Sequence, residues 1–526
     1  MDTNSPVYNE LNKTWKNTCR VLFGEEIGEL KEYEEWLSSC MDPLDVRKSK
    51  ISGKDVYLAV PDYCASARFV SLEEIGMVKK PEPLNINEIK DIDSIVEALQ
   101  ERFCYSGNIV LANSKNVERS SNIFNSSNVL NSNFIYDSEY IAYSSNVRYC
   151  KYLFGANNII DSSFVIRGPE GFRDTRCFEI WGCYTNSDCY FSFGVEGSQN
   201  VLFSFNIKNK RNVIGNLELP KEKFLSLKEK ILGELKGELV RRKSLPSLMD
   251  LVSGSKKKPE IKLDVEEISD EQNKEPMEAA FRSTTRVVLG RELYNLDAYE
   301  KWLMRHVPPV EELGSAVSGK KVYYGYSGMR WTLPRDRIVK DAESRKLGEI
   351  LKLEKDNIES FDKLKDSLWK IAFFRTEARI GENRNLIGVP LANQSLNCYK
   401  GGIYSFNENC AFCYWPRNSR YMFGSAVSFS SNFCINAYYS LNLSRAFEVD
   451  CSSNCSDIYF SHNCENVHES MFCFNTKNQR YSIGNVPLAL EKYKGIKVAI
   501  LEQIADELEK NKELRWDVYN IGCTKP

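Results

Sequence analysis

From Leu111 to Val213 one residue in every six is apolar or small. Steps of six from Leu111 fall on Val117, Ile123, Val129, Ile135, Ile141, Val147, Leu153, Ile159, Val165, Gly171, Cys177, Cys183, Cys189, Val195, Val201, Ile207 and Val213, and only Gly171 breaks the series. Midway between these lies a second series of small residues, Ser120, Ser126, Ser132, Ser138, Ser144, Cys150, Ala156, Ser162 and Gly168, resuming at Ser192, Ser198 and Ser204. A period of six matches neither the helix nor the single strand, but it does match short strands and corners wound into a stack. The pattern predicts a parallel β-helix. Because the register is unbroken, the three-sided form is expected, with about eighteen residues per turn.

A second stretch bears on which residues face inward. Around Phe423, Phe429, Ile435, Leu441, Phe447, Tyr459 and Met471, a small residue follows each large one two places later, as Ser425, Ser431 and Ala437 do. Residues two apart on a strand share a face. The expected inward pair is therefore large-then-small, with Phe124, Leu130, Tyr136, Phe154, Ile166, Phe178 and Tyr190 as the first-stack equivalents. The aliphatic ladder from Val117 to Val165 would then need cover on the opposite face, from flanking helices, the other stack or a second chain.

The chain is duplicated. Arg20, Val21, Gly24, Glu26, Leu30, Tyr33, Glu34, Trp36 and Leu37 recur as Arg286, Val287, Gly290, Glu292, Leu296, Tyr299, Glu300, Trp302 and Leu303. Phe203, Phe205, Asn206, Lys208, Asn209 and Arg211 recur as Phe472, Phe474, Asn475, Lys477, Asn478 and Arg480, and a charged amphipathic helix follows in both copies. Each copy also carries a predicted short strand after a Ser-Gly turn, at Ser52 and Ser318. Five segments are expected: an N-terminal α/β segment (1–104), a β-helix with its capping helix (105–250), a flexible charged linker (251–277), a second α/β segment (278–380) and a second β-helix with its capping helix (381–526). The flanking helices are the candidates to cover the open stack ends.

With 70 basic against 72 acidic residues, net charge supplies no reason to expect nucleic acid or an anionic membrane. The N-terminus lacks a signal-like apolar run, and no stretch of eighteen apolar residues occurs. A cytoplasmic location is expected, with no membrane partner and no small-molecule cofactor.

Cys410 with Cys413, and Cys451 with Cys455, have spacings that zinc sites use. Yet of the twelve cysteines inside the two repeats, eleven occupy two of the six repeat positions, and only Cys451 does not. The expectation is a small buried side chain interchangeable with serine, and no metal site. Three histidines exist: His306 in a helical segment, and His462 and His468 six apart, where Glu465 or Glu469 could orient a base. Glu170, Asp174, Glu179 and Asp188 surround the Gly171 irregularity, the best candidate for a functional loop and for a carbohydrate-active carboxylate pair. Solvated charge is the expected role of these residues, so no catalytic or cofactor-binding residue is assigned. The basic closing motif from Asn206 to Asn212 and its partner at Asn475 could contact RNA.

The phenylalanine-rich turn running into Asn206-Ile207-Lys208-Asn209-Lys210-Arg211 and then a Lys/Glu-rich helix resembles a group of uncharacterised archaeal and candidate-phylum bacterial proteins with six-residue Asn/Ser/Cys repeats. The likeness covers each repeat and its closing helix, about half the chain. It implies a fold and no activity. This chain departs from that group in its duplication and in lacking a Cys-rich zinc-ribbon segment. The expected role is a non-enzymatic scaffold or macromolecule-binding protein, possessing a protein partner or self-association. The alternatives are an RNA- or ribosome-associated factor and a carbohydrate-active enzyme.

Overall fold

The computed structural model describes residues 3–60, 62–78, 91–100, 103–255, 257, 259–261, 263, 272–325 and 333–523. Two large sheets, almost wholly parallel, account for most of the strand content. Their registers share one offset: Lys115 pairs with Ser127, Glu139 with Lys151, Leu153 with Val165, and in the second copy Cys398 with Cys410 and Phe447 with Tyr459. The repeat is therefore twelve residues, two hexads, which replaces the expected eighteen.

The backbone explains the difference. Nearly every third residue has a positive φ, as at Asn122, Asn125, Asn128, Asn131, Phe134 and Asp137, and again at Asn454, Asp457, Phe460 and Asn463. That left-handed region costs ordinary side chains free energy but suits asparagine. The chain bends after every two extended residues, so four short sides close a repeat. Asparagine amides stacked at such corners bond to one another, Asn385 to Asn397 at 2.8 Å and Asn397 to Asn409 at 2.9 Å.

A left-handed residue at every third position also breaks the pleat, so residues three apart, not two, share a side. The aliphatic series, Ile123, Val129, Ile135, Ile141 and onward to Val213, forms its own buried cluster containing no helix residue. Its second-copy counterpart runs from Leu386 to Cys473. The serine series is buried beside it and carries a hydrogen-bond ladder. Ser126 Oγ accepts from Ser138 N at 3.0 Å, Ser138 Oγ from Cys150 N at 3.0 Å, and Cys150 Sγ from Ser162 N at 3.3 Å. Each hydroxyl donates back to the carbonyl two residues earlier, as Ser138 does to Tyr136 O at 2.7 Å. The expected large-then-small pair is thus corrected: the small member is inside, and its inward neighbour is the aliphatic residue three places away.

The large residues point outward. Leu130, Phe154, Ile166, Phe178, Tyr190 and Leu202 share a cluster with the helices Pro6–Phe23 and Lys221–Arg242. Phe423, Ile435, Phe447, Tyr459 and Met471 do the same with Glu275–Leu289 and Leu490–Asn511. The helix Pro6–Phe23 contacts strands from Lys115–Glu118 to Thr175–Trp181, so it lies along the stack rather than over its end. For this helix the expected end-capping role is corrected. The Ser52 and Ser318 strands are present as Asp55–Leu58 and Lys321–Tyr324, each in an antiparallel pair.

The two copies exchange the later parts of their N-terminal segments, while the helices Pro6–Phe23 and Glu275–Leu289 stay with their own stacks. Val56, Leu58, Tyr63, Phe69, Leu99 and Tyr105 of the first copy belong to the apolar cluster of the second stack. Val322, Ile338, Leu353, Phe361 and Phe374 of the second copy belong to that of the first. Leu353 N donates to Gly215 O at 2.9 Å, so the end of the first stack is met by the second copy. Within the segment expected as a linker, Leu248–Ser253 is helical, and Ile261 and Leu263 pack partly buried beside Val339, Leu347 and Phe373. Residues 256, 258, 262 and 264–271 of it lie outside the described residues.

Candidate functional site

The sequence candidates do not gather at one place. Gly171 keeps register with Ile159 and Cys183, so no loop interrupts the stack there. Asp174 takes a position of the inner serine ladder, where its carboxyl accepts from Asn186 N at 2.9 Å, Asn186 Nδ2 at 3.0 Å and Phe172 N at 3.1 Å. Burial pushes it up to about 8. Glu179 is ion-paired with Arg167 at 2.7 Å, and Asp188 with Arg176 at 2.7 Å. Glu170 accepts from the Tyr184 hydroxyl, and burial raises its carboxyl above the ordinary range. The four carboxyls thus serve four separate arrangements.

The repeat cysteines lie inside. Cys410 Sγ donates to Glu408 O at 3.3 Å and Cys455 Sγ to Ser453 O at 3.1 Å, the serine pattern with sulfur substituted. Burial pushes the Cys410 thiol up to about 12 and that of Cys455 to about 11, away from the thiolate a metal requires. Cys64 and Cys523, which the periodicity does not reach, are joined by a disulfide.

The closing basic motif is largely neutralised: Lys208 pairs with Glu196 at 3.1 Å, Lys477 with Glu465 at 2.5 Å and Arg480 with Glu469 at 2.9 Å. Glu465 and Glu469 therefore do not orient a histidine. His468 bonds Ser456 at 2.8 Å on the exposed side of the second stack. His462 is fully buried, against the expectation of a surface residue. Its Nε2 accepts from Ser106 N at 3.0 Å, so Nδ1 carries the proton that it donates to Asp450 Oδ2 at 2.8 Å. Tyr63 and Tyr519 hydroxyls donate to the same carboxylate, each at 3.1 Å. Ligand atoms of Asp450, Cys451 and His462 lie within 4.8 Å of one another. Both imidazole nitrogens are nevertheless engaged by protein groups, so a metal would have to displace one of them.

Sequence periodicity also misses the cavity of about 610 Å³ between the copies. One wall carries Asp42, Asn146, Asn157, Asn158, Arg167 and Glu170 from the first copy; the other carries Tyr414, Trp415, Val427, Tyr439 and Pro308 from the second. Asp42 is oriented by two amides, Asn146 Nδ2 to Oδ2 at 2.8 Å and Asn157 Nδ2 to Oδ1 at 3.0 Å. Phe134 stacks on Tyr439 at 4.7 Å.

No family model, curated protein or solved structure matches the chain.

The cavity's cations are already spoken for. Arg167 holds Glu179 and also donates to Ser39 Oγ at 2.8 Å. Arg305 and His306 share Asp517, at 3.0 and 3.1 Å. Burial alone would lower the His306 imidazole, but its bonds to Asp517 and Asp62 outweigh that and raise it to about 9. At neutral pH His306 is therefore a cationic donor, not a base.

Proposed function

We propose that the chain is a non-enzymatic, cytoplasmic scaffold: two parallel β-helices, locked together by exchanged segments, each presenting one flat polar face to a protein partner. One observation carries this. Two adjoining sides of the four in each twelve-residue repeat keep unburied residues along most of the stack, and on one of them a wholly polar row stays open along its length. In the first copy it comprises Glu139, Lys151, Ser163, Thr175, Gln199 and Arg211, all partly or fully exposed. In the second copy the equivalent row is Glu408, Arg420, Asn432, Ser444, His468 and Arg480, likewise unburied.

Side chains along each row bond to their neighbours, Lys151 to Glu139 at 3.1 Å, Arg420 to Glu408 at 3.2 Å and Ser163 to Thr175 at 3.1 Å. Such bonds hold the face flat, at a spacing of about 4.8 Å between rungs. A regular polar surface of this kind suits an extended interface of small, additive contacts. The neutralised closing motif and the dispersed carboxyls give the RNA and carbohydrate readings less support. Among the described residues no helix is long and apolar enough to cross a membrane.

The test is a photo-crosslinking residue placed at Thr175 or Ser444 and, as control, at Leu225 on the helix surface. Irradiation in cells is expected to trap one defined protein from the first two positions and none from the third. Equal, diffuse products at all three positions would contradict the proposal.

A further inference from the structure

Beside the wholly polar row, on the adjoining open side of each stack, runs a row in which cations meet carboxylates one rung away. Lys208 meets Glu196 there at 3.1 Å, and in the second copy Lys477 meets Glu465 at 2.5 Å. Arg148 and Arg417 belong to these same two rows and are equivalent to each other, 269 positions apart. Their neighbours along the row offer no carboxylate. Arg148 stands between Tyr136 and Ile160, and Arg417 between Ser405 and Phe429. Among the described residues neither guanidinium has an ion pair or a hydrogen bond.

Duplication brings the two arginines together. The stacks lie side by side in opposite senses, with Phe134 against Tyr439 at 4.7 Å and Asn122 reaching Cys451 at 3.7 Å. At the same junction Arg148 lies over Phe429 at 4.3 Å, and Phe429 is one rung from Arg417. Burial and then the Arg417 charge lower the Arg148 pKa, and no carboxylate acts to raise it. Like charges gathered without a counter-ion cost free energy. Yet the duplicated chain keeps arginine at both positions, and a bound anion is the group that would neutralise the pair. The place is open to solvent: Tyr149, next to Arg148, is 61% exposed, and Asn418, next to Arg417, is exposed as well.

Charge and geometry select the anion. A carboxylate carries one charge on two oxygens and satisfies one guanidinium, whereas a phosphate group carries nearly two charges on three oxygens and accepts from both. We propose that the junction of the two stacks binds a phosphate group, gripped by Arg148 from one copy and Arg417 from the other. The site goes beyond the scaffold reading and does not depend on it.

The test is isothermal titration of the full chain, at constant ionic strength, with inorganic phosphate, with glycerol phosphate and with acetate. Phosphate is expected to bind saturably at one site per chain, and acetate about tenfold more weakly or not at all. The tighter of the two phosphates tells whether the site takes the free ion or an organic monoester. Arg148→Met and Arg417→Gln are each expected to weaken phosphate about tenfold, the scale of one lost charged hydrogen bond, while unfolding stays cooperative. Arg417 is only half-buried, so its variant decides the matter should Arg148→Met fail to fold. Lys208→Gln, which removes a cation already paired in the same row, is expected to leave affinity unchanged. The proposal is overturned if neither phosphate binds saturably, if acetate binds as well as they do, or if Arg417→Gln leaves affinity unchanged. It is overturned equally if Lys208→Gln weakens binding as much as the arginine variants, which would mark attraction by surface charge in general.

Discussion

Asn206 and Asn475 make the same contact twice, 269 positions apart and in opposite directions across the molecule. Asn206 Nδ2 donates to Phe373 O at 2.8 Å, and Asn475 Nδ2 donates to Cys104 O at 2.6 Å. Each asparagine belongs to the closing turn of one copy, and each carbonyl to the other copy's N-terminal segment. The neighbouring rings repeat the exchange, with Phe205 6.0 Å from Phe374 and Phe474 4.6 Å from Phe103. Neither stack is finished by its own half of the chain.

Cleavage at a protease site engineered between the copies, near residue 268, should therefore leave one particle. Gel filtration after cleavage is expected to show the mass of the intact chain, with both fragments on a denaturing gel. Asn206→Ala and Asn475→Ala should each lower unfolding free energy by about 1–3 kcal/mol, because a buried carbonyl loses its donor. The sites share no partner, so the double variant should be close to additive. Fragments that elute separately would contradict the exchange.

The serine ladder makes a sharper demand. Cys150 N has the Ser138 hydroxyl as its acceptor, and Ala156 N has that of Ser144, both at 3.0 Å. Ser138→Ala should orphan a buried N–H and cost about 1–3 kcal/mol. Ser138→Cys should cost less, since Cys150 already performs the same task one repeat later. Urea unfolding of the two variants side by side decides this: equal loss would mean that volume, not hydrogen bonding, sets the residue.

The hexad period, the duplication and the placement of cysteine among serines were all legible, because identical side chains recur wherever the backbone recurs. The facing of the residues was not. Strand reasoning pairs i with i+2, whereas left-handed residues such as Asn122 and Asn125 make i and i+3 partners, so Ile123 and Ser126 share the inside. The abundance of asparagine one place before each inward residue was the available sign of that conformation. Gly171 looked like an interruption for a related reason: glycine breaks an aliphatic series without breaking the register. The cavity depends on two segments more than 250 residues apart meeting, and no periodicity encodes that. His306 stood out only as one of three histidines, while Asp517, its partner, had no feature to mark it.

Arg148 offers a test of the surface between the stacks. Its guanidinium lies over Phe429 at 4.3 Å, Trp415 at 5.0 Å and Tyr136 at 5.1 Å, and its buried Nε has no hydrogen-bond partner. Burial lowers its pKa from the ordinary arginine range. Ring contacts offset part of the desolvation of a cation that no carboxylate among the described residues pairs. Arg148→Met keeps the length and removes the charge, so it should leave thermal stability unchanged or raise it. Arg148→Ala should lower stability by about 2–4 kcal/mol through lost packing. A Met variant as unstable as the Ala variant would mean that the charge itself is required.

Stability should fall as pH rises from 5 to 9, and three groups fix the sign. Burial raises Asp174 from 3.8 and Glu448 from 4.5, each to about 8. Between those values the folded chain holds two protons that the unfolded chain has released, so raising pH favours unfolding. His306 acts in the same direction: its stabilisation is complete below 6.5 and is lost as pH rises through about 9. Asp517, lowered by His306 and Arg305, works in the opposite sense, but only as pH falls below its ordinary 3.8. Each group loses about 1.4 kcal/mol per pH unit between its ordinary and its folded value, so the combined loss should reach several kcal/mol across this range. Asp174→Asn keeps an acceptor for Asn186 N without an ionisable proton, so its stability relative to the natural chain should be lowest at pH 5, grow up to about pH 8 and level off above it. Unfolding midpoints that rise with pH, or an Asn variant parallel to the natural chain at every pH, would show that these carboxyls are already ionised in the fold.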